Sequence, residues 1–153
     1  MTVEEVVDPA EKSRICESVL RALPQWFGIE AAVERYRRVS AELPMLAVRN
    51  GGDAAGFLSL KRHAPEAAEL YLMGVRPELH GRGIGTALVE AAEARLAASG
   101  VEYLQVKTLG PSRPSRAYER TRRFYESRGF RALEELAGYW DEDNPCLITV
   151  KRI

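Results

Sequence analysis

The sequence predicts a single α/β domain built on one mixed sheet with helices on both faces, and three observations carry that reading. Apolar positions switch between period two and period 3.6 along the chain, giving strands and helices in the order βααβββαβαββ. A strand, a glycine-rich turn and a helix follow one another directly between Leu70 and Leu88. One helix later comes Val101–Thr108, rich in β-formers; a right-handed crossover would lay it parallel to the strand Glu69–Val75. At 153 residues the chain fits one domain, 1–153, able to bury about two thirds of its unfolded surface.

Composition narrows the function classes. Lys+Arg and Asp+Glu number 22 each, so nothing predicts a general attraction to nucleic acid or to a membrane surface. No apolar run approaches the ~20 residues of a membrane span, and the first residues lack an apolar signal core. Cys16 and Cys146 are far apart, with no metal-ligand spacing and no disulfide framework, so a reduced cytoplasm is the simplest setting.

Each element has a local cause. Thr2–Val7 is a short strand. Asp8, Pro9 and Glu11 start a helix as N-cap, first helical residue and third residue. Ile15, Val19, Ala22 and Leu23 form its buried face, and Pro24 stops it. A second helix runs from about Glu30 to Ala41; Trp26 and Phe27 before it either line an acceptor pocket or plug the helices onto the sheet. Met45–Arg49, a turn at Asn50–Asp53 and Ala54–Arg62 form a hairpin. His63 and Pro65 break that strand, leaving His63 as a solvated loop residue. Glu69–Val75 is apolar on both faces, as a buried strand should be, and Pro77 ends it. The following helix carries Ile84, Leu88, Ala92 and Leu96 on one stripe and ends at Ser99–Gly100. After Val101–Thr108 come a turn-rich loop to Ser115, a helix Arg116–Arg128, a strand Phe130–Leu136, a turn Asp141–Pro145 and a last strand Cys146–Lys151.

The turn between Val75 and the helix holds Gly81, Gly83 and Gly85. Helix N-terminal N–H groups have no intrahelical acceptor and sit at the positive end of the macrodipole, so such a turn is a socket for phosphate. A Walker loop would need Gly-Lys followed by Ser or Thr, and no Lys stands here. A dinucleotide fingerprint G-x-G-x-x-G fails in both registers, with Thr86 or Leu88 at the third place. The pattern V-x-P-x-x-[Q/R]-x-x-G-x-G/A fits at Val75, Pro77, His80, Gly83 and Gly85, with His80 departing at the Q/R place. It resembles the acyl-CoA-binding loop of the GNAT superfamily of N-acetyltransferases. A second stretch, Phe124, Tyr125, Glu126, Gly129 and Phe130, resembles the F-Y-E-x-x-G-F that closes the same core.

The resemblance covers roughly Glu69 to Leu136 and implies a mixed, mostly antiparallel sheet with a central, splayed parallel strand pair. It implies acetyl-CoA as co-substrate, with no metal. The turn residues His80, Gly81, Arg82, Gly83, Ile84, Gly85 and Thr86 would bind the cofactor, with the backbone N–H groups of about Arg82 to Thr86 as the anion site. The strands would part after Met73–Val75, whose backbone would hold the pantetheine, and the Val75 N–H would polarise the thioester carbonyl. Tyr125 would protonate the leaving thiolate, and Glu69 would be the base, with Tyr71 on its face to lead a water toward the amine. The family's usual Asn and Ala, seven and four residues before the tyrosine, are Tyr118 and Thr121 here, so a cofactor contact of that Asn would fall to the Tyr118 hydroxyl. Seven arginines between Arg113 and Arg131 either include a partner for the 3′-phosphate or form a solvated face.

The function implied is acetyl transfer to a primary amine of a small molecule or peptide, by direct attack in a ternary complex. The alternatives are a non-catalytic acyl-CoA-binding or sensing module, and an unrelated nucleotide-phosphate binder using the same turn. The acceptor is not legible, and the oligomeric state is open, with homodimers frequent among such proteins.

Overall fold

Eleven regular elements follow the expected order: β1 (Val3–Val6), α1 (Pro9–Arg21), α2 (Glu30–Glu42), β2 (Met45–Asn50), β3 (Asp53–Ala64), β4 (Ala67–Val75), α3 (Ile84–Ala98), β5 (Tyr103–Leu109), α4 (Arg116–Ser127), β6 (Arg131–Asp141) and β7 (Asn144–Arg152). A single 3₁₀ turn, Pro77–Leu79, precedes α3. The computed structural model describes all residues, Met1–Ile153. Hydrogen bonding joins the strands in the order β1-β2-β3-β4-β5-β7-β6. The α/β class and the mostly antiparallel sheet with one parallel pair are as expected: β4 and β5 are parallel, pairing Ala67 with Tyr103, Ala68 with Leu104 and Glu69 with Gln105. That ladder ends at Glu69, earlier than the separation after Met73–Val75 implied by resemblance.

The chain divides into two compact units, Met1–Lys61 with Leu70–Ser99, and Arg62–Glu69 with Gly100–Ile153. In the first, β1 pairs antiparallel with β2, and β2 with β3. Ile15, Cys16, Val19 and Leu20 of α1 pack with Val33, Met45, Phe57 and Leu72 into one buried cluster. Each such side chain, fully buried, contributes about 1.5–3 kcal/mol. The α1 start is as read: the Asp8 carboxylate accepts from the Glu11 N–H at 3.3 Å, with Pro9 at the first position, where its missing N–H costs nothing. In α3, Ile84, Leu88, Ala92 and Leu96 are all buried, as their four-residue spacing requires.

In the second unit β5 pairs antiparallel with β7 from Tyr103↔Arg152 to Leu109↔Cys146, and β7 pairs with β6. Ser115 caps α4, its hydroxyl accepting from the Tyr118 N–H at 3.2 Å. Phe130 and Leu104 are buried in this unit.

Two expectations need correction. β3 continues to Ala64 and β4 begins at Ala67, so only Pro65 and Glu66 turn the chain and His63 lies on a strand, not in a solvated loop. Pro65 suits the first turn position because its φ is already set and a turn needs no N–H from it. β6 runs on to Asp141, past the expected end at Leu136, absorbing register shifts between Ala132 and Glu134 and between Leu136 and Asp141. The turn shrinks because the Asp141 carboxylate accepts from the Asp143 N–H at 2.9 Å and from the Asn144 amide at 2.9 Å, closing it locally. No helix is long and apolar enough to cross a membrane.

Candidate active site

In the first unit, the last residues of β4 alternate. Leu70, Leu72 and Gly74 are buried, while Tyr71, Met73 and Val75 are half-buried on the opposite face. Two glycines let the chain pack tightly there. A Cβ at Gly56 would stand 2.9 Å from the Gly74 carbonyl oxygen and 3.1 Å from Val75, and one at Gly74 would stand 3.0 Å from Val19. Arg76 fixes the strand end, donating to the Ala54 carbonyl at 2.7 Å and to the Ser18 hydroxyl at 2.6 Å.

The turn that follows has φ of +76° at Gly81 and +83° at Gly83. A Cβ at either would meet nothing within 4 Å, so glycine is needed for its backbone freedom, and the space above the turn stays open. Gly83 is the N-cap of α3 and supplies no side chain to it; the first intrahelical bond runs from the Ala87 N–H to the Gly83 carbonyl at 3.0 Å. The N–H groups of Ile84, Gly85 and Thr86 therefore precede the helical ladder, at its positive end. Arg82 beside them is exposed. His80, at the departing place, ties the turn back to the strand: its Nε2 lies 2.7 Å from the Val75 carbonyl oxygen, and its ring meets the edge of Trp26 at 5.8 Å. Trp26, Phe27, Tyr36 and Tyr71 are partly buried and pack against the core, with Tyr36 edge-on to both Phe27 and Tyr71 at 6.0 Å.

In the second unit Glu69 is 4% exposed, and one oxygen, Oε1, meets two nitrogen groups. His63 Nε2 lies 2.7 Å from it and Lys107 Nζ 3.3 Å. Burial works against the Lys107 ammonium, but the Glu69 carboxylate and the Tyr139 hydroxyl outweigh it and hold that lysine above its usual range. Glu69 is thus paired rather than free. Sequence reading puts His63 in a solvated loop and does not single out Lys107; the signals were Pro65 in a two-residue turn and a lysine inside the apolar run of β5.

Tyr125 is 6% exposed and packs edge-on between Phe124 at 5.3 Å and Phe130 at 5.6 Å. Burial, with Tyr118 adding repulsion of the phenolate, pushes its phenol above the ordinary value. Tyr118 stands two turns earlier on α4, half-buried. The Thr121 hydroxyl donates to the Ala117 carbonyl at 3.3 Å. Several of the arginines have partners in the protein: Arg122 donates to the Leu109 carbonyl at 2.7 Å, Arg123 pairs with Glu119 at 2.5 Å, and Arg113 donates to the Asn144 side chain.

Known proteins share this architecture. A segment of 94 residues is 35% identical to the mycothiol acetyltransferase of Beutenbergia cavernae, covering 60% of this chain and 30% of that protein's length. Over 99% of the chain and 98% of the other, the fold is similar to a GNAT-family acetyltransferase structure from Desulfovibrio desulfuricans (TM-score 0.85, 20% identity). Over the full length of both chains it is similar to the PaiA N-acetyltransferase of Thermoplasma acidophilum, solved in complex with coenzyme A (TM-score 0.74, 20% identity). The family model of the acetyltransferase (GNAT) domain matches residues 42–132, more than half of the sequence. This chain belongs to the GNAT family of acetyltransferases.

Proposed function

We propose that this chain transfers the acetyl group of acetyl-CoA to a primary amine by direct attack in a ternary complex. The observation that carries this reading is the helix α3 that opens on Gly83 with no side-chain cap, under open space, directly after a strand whose accessible face ends at Val75. Backbone N–H groups of Arg82 to Thr86 bind the pyrophosphate. The backbone at Met73–Val75 holds the pantetheine, and the Val75 N–H polarises the thioester carbonyl; the His80 bond to the Val75 carbonyl steadies the next peptide, between Val75 and Arg76. Tyr125 keeps its proton throughout the neutral range and delivers it to the departing thiolate. Tyr118 takes the place of the family's asparagine toward the cofactor. Similarity to a mycothiol acetyltransferase supports a small-molecule amine as the acceptor class.

Two observations favour the non-catalytic module: Thr121 turns its hydroxyl back onto α4, and the carboxylate read as the base is already engaged by His63 and Lys107. One experiment separates these readings. Acetyl-CoA, CoA, NAD and ATP are titrated into the protein by calorimetry, and acetyl-CoA is then offered with a panel of amines under thiol detection. Selective binding of acetyl-CoA and CoA with amine-dependent thiol release is the expected result. Binding without release would leave the sensing module, and no binding of either CoA species would sink both.

A further inference from the structure

Resting on the transferase reading above, we infer that the proton acceptor of this enzyme is His63, and that Glu69 acts through it as a positioning residue. The two differ in what they offer an incoming amine. The Glu69 side chain is 5% exposed, and its Oε1 is shared by the Lys107 ammonium and the His63 ring. A carboxylate so placed is hard to reach, and taking a proton would remove the charge that pairs with Lys107. The His63 side chain is 32% exposed. An ionised carboxylate can only accept, so Nε2, 2.7 Å from Oε1, carries the hydrogen, and Nδ1 keeps a lone pair for an external proton. The pair has the geometry by which a carboxylate fixes the tautomer of an imidazole and stabilises the imidazolium that forms.

Glu69 reaches His63 from β4 and Lys107 from β5 through that carboxylate. Tyr139 of β6 and Cys146 of β7 stand behind Lys107. On β3 itself, Arg62 is turned to the Ala64 and Pro65 carbonyls at 3.4 and 2.6 Å.

The step balances as follows. The acceptor ammonium gives one proton to His63 Nδ1 and becomes a neutral amine. Its lone pair attacks the thioester carbonyl carbon, and collapse of the tetrahedral adduct breaks the C–S bond. The thiolate takes the Tyr125 proton, Tyr125 regains one from the product nitrogen through solvent, and the imidazolium releases its proton to water.

The test uses wild type, His63→Gln, Glu69→Gln and His63→Ala with acetyl-CoA and an amine panel of spermidine, glucosamine, cysteine and a lysine peptide. Gln can still donate to Glu69 but cannot take a proton. For His63→Gln we expect acetyl-CoA affinity to be unchanged and kcat at pH 7 to fall about 100-fold. The acid limb of the pH–rate profile should be lost, and free imidazole should restore rate to His63→Ala. Glu69→Gln should keep an acid limb, at a reduced rate. Wild-type rate and limb retained in His63→Gln, or a wild-type limb in the carboxylate range, would overturn His63 while leaving the transferase intact. Failure of wild type to acetylate any amine of the panel would overturn the transferase reading, and this inference with it.

Discussion

Tyr125 shows how one residue serves packing and chemistry at once. Its ring fills the space between Phe124 and Phe130, and that same burial raises the phenol's pKa. Sequence position named Tyr125, but it could not tell a packed aromatic from a proton donor, because both demands select the same side chain at the same place on a helix. Removing only the hydroxyl separates them. Tyr125→Phe keeps the ring contacts, so acetyl-CoA affinity should stay within about twofold, while kcat should fall about 100-fold, the lower end of what a positioned proton donor supplies. The sign of the pKa shift adds a second readout: with the folded value raised, the phenol is protonated below pH 10, and no alkaline limb from this group should appear at pH 7–9. Equal turnover for the two proteins, measured by steady-state thiol release, would reduce Tyr125 to a core residue.

At the scale of elements, what was legible followed local rules. The α1 cap at Asp8, the stripe of α3 and the positive φ at Gly81 and Gly83 each follow from residues a few positions apart. What was missed depends on partners distant in sequence. Lys107 meets Glu69 across 38 residues, and Glu135 occupies the space a side chain at Gly110 would need, accepting from the Ser112 N–H and hydroxyl at 3.1 and 2.6 Å. The extra length of β6 arises from register shifts against β7, which no single-strand pattern encodes. Helix α4 joins both cases, since its cap is local and the roles of Tyr118 and Tyr125 are not. Ser115 satisfies an N–H of the first turn, at Tyr118, and Tyr125 sits two turns further on. Ser115→Ala should cost about 1 kcal/mol and lower Tm by roughly 3 °C. Because fraying is confined to the first turn, acetyl-CoA affinity should weaken through Tyr118 while the Tyr125 step, read as kcat at saturation, stays near wild type. A variant losing kcat with unchanged affinity would show that the first turn does not contribute to cofactor binding.

Across the whole molecule, the two compact units are not consecutive pieces of chain. The boundary is crossed at Lys61/Arg62, Glu69/Leu70 and Ser99/Gly100, and the first two crossings fall inside β3 and β4. Unfolding one unit alone would require breaking both strands in mid-run, stripping backbone hydrogen bonds on either side of the break. We therefore expect one cooperative transition, as for one domain. The sequence supplies its own probes, since the two tryptophans fall one in each unit: Trp26 against the core of the first, Trp140 on β6 of the second. In Trp26→Phe, fluorescence follows the second unit; in Trp140→Phe, it follows the first. Within each variant, the urea midpoint by fluorescence should coincide with the midpoint by far-ultraviolet circular dichroism, a comparison insensitive to any stability change the substitution brings. Acetyl-CoA at 100 times its Kd should move both probes together by about 2.7 kcal/mol, because one cooperative transition registers ligand binding to the native state at every probe. Separated midpoints within a variant would instead mean that the chain folds as two domains. A ligand shift seen only by the Trp140→Phe protein would then confine acetyl-CoA binding to the unit that carries the turn.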